Sequence, residues 1–194
     1  MRWFWFDRFI EFEHGRRAAA IKAVTLAEEE LDNYLPGFPV LPPPLIVEGL
    51  AQTGGLLVGE KNEFRERVVL AKVGKARFHF EALPGDVLRY EAEVVDLRPN
   101  GAIVFGTSHA GDRLQAEIEL VFAYLDDRFA GVDLFFPADF LCILRLLGLY
   151  DVGHYADGTS LRVPAYLLEA EARQNQTGTA DLDDAETDPQ SSLH

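Results

Sequence analysis

The chain is 194 residues long, 48% hydrophobic and 26% charged, which is the makeup of an ordinary globular protein with one main core and an appendage. A formal net charge of -14 argues against a nucleic-acid binder that works by neutralising phosphates, and a single cysteine, Cys142, excludes an intrachain disulfide or a multi-cysteine metal site. No apolar run reaches the ~18 residues of a membrane span, and charges interrupt the aromatic N-terminus too early for a signal peptide, so the expected compartment is the reducing cytoplasm.

Residues 3–13 alternate weakly and read as a strand, and "RAAAIKAVTL" (17–26) reads as a second. "AEEELDNYLPG" (27–37) is a short helical turn or loop, because Pro36 and Gly37 stop any regular element. Residues 45–60, "LIVEGLAQTGGLLVGE", are apolar around nearly the whole circumference and follow three consecutive prolines. Proline is tolerated in a helix's first turn, where its missing N–H costs nothing, so the pattern predicts a buried helix over about 44–60. Gly49, Gly54, Gly55 and Gly59 let strands pack closely against it.

Four segments rich in β-branched and aromatic residues follow, at 67–80, 87–97, 102–110 and 113–125, separated by the turn sequences "LPGD", "RPNG" and "AGD". Short turns imply antiparallel neighbours, and a helix hydrophobic all round implies a curved sheet wrapped about it. The predicted class is therefore α+β, with a main domain over 1–127. Residues 128–171 form a C-terminal helical extension whose amphipathic segment "PADFLCILRLLGLY" (137–150) caps an apolar edge or a dimer surface, with Cys142 as a core residue. From about 172 the chain is polar, acidic and without periodicity, and is expected to lack regular structure. From Glu169 onward seven acids face one arginine, so much of the acidity lies outside the core.

Taken with that order of elements, "PGFPVLP" (36–42) followed by "LIVEGLAQ" (45–52) resembles the hotdog-fold 3-hydroxyacyl-[acyl-carrier-protein] dehydratases of fatty-acid synthesis. The resemblance runs over about residues 1–127 and takes in "VTLAEEEL" (24–31), "LPGD" (83–86) and "AEIELVFA" (116–123). It implies a hotdog fold, a homodimer or higher even oligomer, and an acyl thioester on acyl carrier protein or CoA as the substrate, with no cofactor and no metal. In that family a histidine in the loop before the buried helix takes the proton beside the thioester carbonyl, while a helix carboxylate from the opposite subunit serves the departing hydroxyl. A backbone N–H at the helix start steadies the negative charge that develops on the thioester oxygen.

Carried over residue by residue, the carboxylate falls on Glu48, with Gln52 one turn on and on the same helical face. A carboxylate inside an apolar helix costs several kcal/mol unless something uses it, which favours a site-lining role for Glu48. The histidine position holds Tyr34, and a phenol is neutral at pH 7 and a poor base. The glycine that supplies the N–H falls on Pro43, which has none to give, leaving Leu45 as the first residue after the prolines able to donate. Glu48, as the main acid or base, and Tyr34, as a hydrogen-bond donor, are thus the expected catalytic pair, with Pro43, Leu45, Gln52 and Phe38 as the expected substrate contacts. His14, His79, His109 and His154 fall on strands or in turns, away from the loop before the helix.

Arg65, Arg67, Lys72, Lys75 and Arg77 form a basic segment in an acidic chain and are the candidate contacts for an acidic carrier protein. Two other functions fit the same residues: a relative that binds acyl chains or carrier protein without turnover, and a thioesterase in which Glu48 directs water. Pro43 weakens the latter, because thioester hydrolysis also wants an N–H on the carbonyl.

Overall fold

A computed structural model of the chain describes residues 4–125 and 135–185. Strands β1 (Arg8–Glu13) and β2 (Arg17–Ala23) form an antiparallel hairpin through a turn at Gly15. β1 starts later than expected because Trp5 and Phe6 turn inward and are buried in the core. Helix α1 (Glu29–Tyr34) ends where Leu35, directly before Pro36, is forced out of helical geometry to φ -140°. Helix α2 (Pro43–Glu60) has Pro42 as its N-cap and Pro43 at its first position, one residue ahead of the expected start.

Strands β3 (Val68–Phe78), β4 (Val87–Arg98), β5 (Gly101–Ala110) and β6 (Arg113–Tyr124) complete the main sheet. Seven strands pair in the order β3-β6-β5-β4-β2-β1-β7, where β7 (Gly153–His154) lies parallel to β1 and every other pairing is antiparallel. The sheet curves around α2, which packs against β2, β3, β4, β5 and β6 and buries Ile46, Leu50, Leu57 and Val58. Opposite them stand Leu88, Tyr90, Val104, Ile118 and Leu120, all fully buried. This is the predicted hotdog arrangement, and close approach is built into it: a Cβ on Gly49 would lie 2.5 Å from Tyr90 Cε2.

The two edges of the sheet differ. The β1 edge is covered by the C-terminal extension, consisting of α3 (Pro137–Leu146), α4 (Leu149–Val152), β7 and α5 (Ala165–Ala185). The Phe9 N–H donates to the Leu147 carbonyl at 2.8 Å and the His14 N–H to the His154 carbonyl at 2.9 Å, so the extension continues the sheet's own hydrogen bonding. The β3 edge has no neighbour among the described residues, and its side chains from Leu70 to Arg77 are exposed.

Two expectations for the extension are corrected. Cys142 is exposed, because α3 buries Phe140, Leu141 and Leu144 and turns Cys142 away from them. The stretch from 172, expected to lack regular structure, continues α5 as far as Ala185. Leu167, fully buried, fixes the helix's start, and the Arg145–Glu171 ion pair ties it to α3. Residues 186–194 of that expectation lie outside the described ones. No helix among the described residues is long and apolar enough to cross a membrane.

Candidate active site

Two clefts flank α2. The first, about 320 Å³, runs beside the middle and C-terminal half of the helix, and Glu48 and Gln52 open into it among otherwise mostly apolar groups, including Gly55, Leu56, Phe64 and Phe122. Glu48 and Gln52 are one helical turn apart, so their side chains meet. The Trp5 N–H donates to Gln52 Oε1 at 2.8 Å, which turns the amide nitrogen toward Glu48, where Nε2 donates to Oε1 at 2.9 Å. The N-terminal segment thus orients the carboxylate through Gln52, a link across 47 residues that no sequence motif announces.

The second cleft, about 680 Å³, sits at the N-terminal end of α2 and is lined by Tyr34, Leu35, Pro43, Ile46, Phe78 and His79, among others. Tyr34 ends α1 with half of its surface exposed. Leu45 packs against the core, and its N–H donates to the Pro42 carbonyl at 2.9 Å. That bond corrects the expectation of a free donor there: Pro43 and Pro44 have no N–H, and the N–H of Leu45 is already engaged. Phe38 is exposed on the loop between the two helices and stands outside the lining of both clefts.

Within one chain, then, the fold joins Glu48 to Gln52 and Tyr34 to Pro43 but opens the two pairs into different clefts. His79, expected on a strand, lies just past the end of β3 and lines the Tyr34 cleft, with Nε2 3.3 Å from Glu117 Oε2. Sequence spacing gave no sign of this placement, because β3 carries His79 to the cleft from 45 residues away in the chain.

Of the basic residues, Lys72, Lys75 and Arg77 lie on the exposed edge strand, with Arg77 4.0 Å from Glu117. Arg65 pairs with Glu63 and covers the Tyr166 ring at 5.2 Å, while the Arg67 carbonyl accepts the Leu125 N–H. A separate, partly buried pair closes the C-terminal end of α2, where His14 Nδ1 and the buried Glu60 Oε2 are 2.7 Å apart. Burial pushes the Glu60 carboxyl above the usual carboxylate range, and the neighbouring His14 partly offsets this. No group of three His, Cys, Asp or Glu side chains placed to hold a metal ion occurs among the described residues.

Residues 4–117 match the FabA-like domain. The chain belongs to the FabA-like family. It is 41% identical over 121 residues to the 3-hydroxyacyl-[acyl-carrier-protein] dehydratase FabZ of Symbiobacterium thermophilum, covering 62% of this chain and 85% of that one. To the enzyme of the same name from Desulforamulus reducens it is 39% identical over 118 residues, covering 60% and 83%. Among solved structures it shares its fold with a Streptococcus mutans protein bound to acetyl CoA (17% identity, TM-score 0.53, 64% of this chain and 93% of that one). The ApeI:P dehydratase heterocomplex of Xenorhabdus doucetiae is similar to the same degree (16%, 0.53, 63% and 84%). The FabA-like match ends before α3, so the extension lies outside it.

Proposed function

We propose that this chain holds acyl thioesters in a dehydratase-type site shared between two copies, with Glu48 of one copy facing Tyr34 and Pro43 of the other. The observation that carries this reading is Glu48 itself, a carboxylate oriented by Gln52 at the side of a mostly apolar cleft along α2. Such a cleft fits an acyl chain, and a carboxyl at its side fits the polar end of the thioester. FabZ relatives of known name and a fold-mate bound to acetyl CoA support the same substrate class.

The exposed β3 edge supports the pairing of two copies. An unpaired edge strand presents a ready row of N–H and C=O groups, and antiparallel self-pairing satisfies them with two-fold symmetry. Val68 and Leu70, at the start of β3, line the Glu48 cleft, while Phe78 lines the Tyr34 cleft at its end. Pairing β3 with its own copy in opposite directions therefore sets the Glu48 cleft of one chain beside the Tyr34 cleft of the other. Lys72, Lys75 and Arg77 then flank the seam, where the phosphates of CoA or an acidic carrier protein would meet them. We place the protein in the cytoplasm, where its exposed Cys142 stays reduced.

In the dehydratase reaction a base removes the proton next to the thioester carbonyl, the hydroxyl leaves from the next carbon with a proton from an acid, and water and an enoyl thioester result. Glu48 can supply the acid. By resemblance, the base and the N–H donor fall on Tyr34 and Pro43, where the phenol donates a hydrogen bond and the helix start has no free N–H. That missing N–H favours a second reading, in which the chain binds acyl thioesters without turning them over. Hydration of an enoyl thioester by the purified protein separates the two. The site reading predicts that the Tyr34→His, Pro43→Gly double variant exceeds the native rate by about 10²-fold or more, the usual worth of a general base. Adding Glu48→Gln then removes the gain. No turnover by either form, together with no binding of an acyl-pantetheine analogue, overturns the proposal.

A further inference from the structure

We infer that the C-terminal extension forms the floor of the acyl cleft, with Phe140 as the residue that limits chain length to about a dozen carbons. The inference rests on the acyl-thioester reading above and assigns a role to a part of the chain outside the FabA-like match.

The cleft has a direction. Both Glu48 and Gly59 line it, and eleven residues of helix separate them by about 16 Å at 1.5 Å per residue. At the Gly59 end it meets an aromatic wall: a Cβ on Gly59 would stand 3.1 Å from Phe64 Cδ1, and the Phe64 ring meets Phe140 edge-on at 5.1 Å. Phe140 in turn stacks on Phe135 at 3.8 Å. Phe135 and Phe140 both belong to the extension and both line the cleft. An extended chain advances about 1.2 Å per bond, judging by the ~3.3–3.6 Å that three backbone bonds span, so ~16 Å accommodates roughly a dozen carbons. The 320 Å³ volume, at the low end of the ~300–1,000 Å³ of small-molecule pockets, agrees with that limit.

The extension also holds the wall in place. Glu63 and Phe64 adopt left-handed backbone conformations, with φ of 53° and 56°, which bulky residues take up only when their surroundings impose them. The Tyr166 hydroxyl of α5 lies within donating distance of both carbonyls, 3.1 Å from that of Glu63 and 3.2 Å from that of Phe64. Phe64 is therefore fixed from behind by α5 and in front by α3.

The test is a calorimetric titration of native protein and Phe140→Ala with non-hydrolysable acyl-pantetheine analogues of four to sixteen carbons. Native affinity is expected to rise with length to about twelve carbons and then fall. Phe140→Ala is expected to raise the ratio of sixteen-carbon to eight-carbon affinity at least tenfold. Parallel profiles for the two proteins would overturn the inference while leaving the acyl-thioester reading intact, whereas no binding at any length would overturn both. If Phe140→Ala does not fold, Phe135→Ala, on the less buried side of the stack, is titrated in its place and read by the same ratio.

Discussion

Replacing Gly49, Gly54 and Gly55 one at a time with alanine tests how closely α2 is seated on the sheet, and therefore how firmly Glu48 is placed. Alanine in a helix interior is worth about 1 kcal/mol over glycine, so any loss must come from crowding. At Gly55 the added carbon would lie 3.4 Å from Phe122 Cε1, an ordinary contact, and Gly55→Ala is expected to stabilise by about 0.5–1 kcal/mol. At Gly54 it would lie 3.1 Å from Val104 Cγ1 and 3.3 Å from Phe122 Cε2. Those side chains can yield slightly, so gain and crowding offset each other to within about 0.5 kcal/mol. At Gly49 it would meet Tyr90 Cε2 at 2.5 Å and the Trp5 carbonyl oxygen at 2.6 Å. Tyr90 is fully buried and the other contact is backbone, so neither can swing aside. Overpacking at the upper end of its usual ~1–3 kcal/mol outweighs the propensity gain, leaving a net loss of about 1–2 kcal/mol. At about 2–4 °C per kcal/mol for a chain of this size, thermal melts should show Gly55→Ala above native, Gly54→Ala near it and Gly49→Ala about 2–8 °C below. Gly49→Ala as stable as the native chain, or a reversed order, would refute the packing argument.

Tyr166→Phe removes the hydroxyl that serves the Glu63 and Phe64 carbonyls and should cost about 1–2 kcal/mol in urea melts; an unchanged midpoint would mean that the left-handed turn holds itself. Burial raises the Glu60 carboxyl above its ordinary value of 4.5, so the folded chain binds that proton more tightly than the unfolded one. Its stabilising contribution is complete below pH 4.5 and is lost as pH rises through the raised value. The stability of the native chain relative to Glu60→Gln should therefore fall as pH rises above 4.5, no faster than the one-proton limit of about 1.4 kcal/mol per pH unit; a difference that grows with pH contradicts the assignment. Leu70→Glu with Val73→Glu sets like charges along the exposed β3 edge. Sedimentation should show a dimer at least tenfold weaker than native, and undiminished self-association would move the interface elsewhere.

The helix α2 is legible in the sequence because three prolines ahead of a segment apolar on all sides have one physical solution, a buried helix that begins within its own prolines. Strands β4 to β6 are legible because their turns carry their own chemistry: in "LPGD", for example, the Asp86 carboxylate accepts the Leu83 N–H at 2.8 Å. Glu48 and Gln52 are legible as a pair from helical spacing alone. The extension is less so. Apolar residues occur on more than one side of α3, so its periodicity does not decide between burying Cys142 and burying Leu141, and only packing against α5 does. The start of α5 depends on contacts that Tyr166 and Leu167 make far along the chain, while its acidic continuation has no apolar stripe from which to read a helix. Hidden for the same reason are the Trp5–Gln52 link, the arrival of His79 in the lining of the Tyr34 cleft, and the engagement of the Leu45 N–H, since each is a matter of where the fold places residues.

The most direct test of the central claim is a crystal structure of the protein with a non-hydrolysable ten-carbon acyl-pantetheine analogue. The account predicts the acyl chain lying along α2 from Glu48 toward Phe140, with the carbonyl group between Glu48 of one copy and Tyr34 of the other. An analogue bound away from the α2 cleft, or a carbonyl that meets neither Glu48 nor Tyr34, would contradict it.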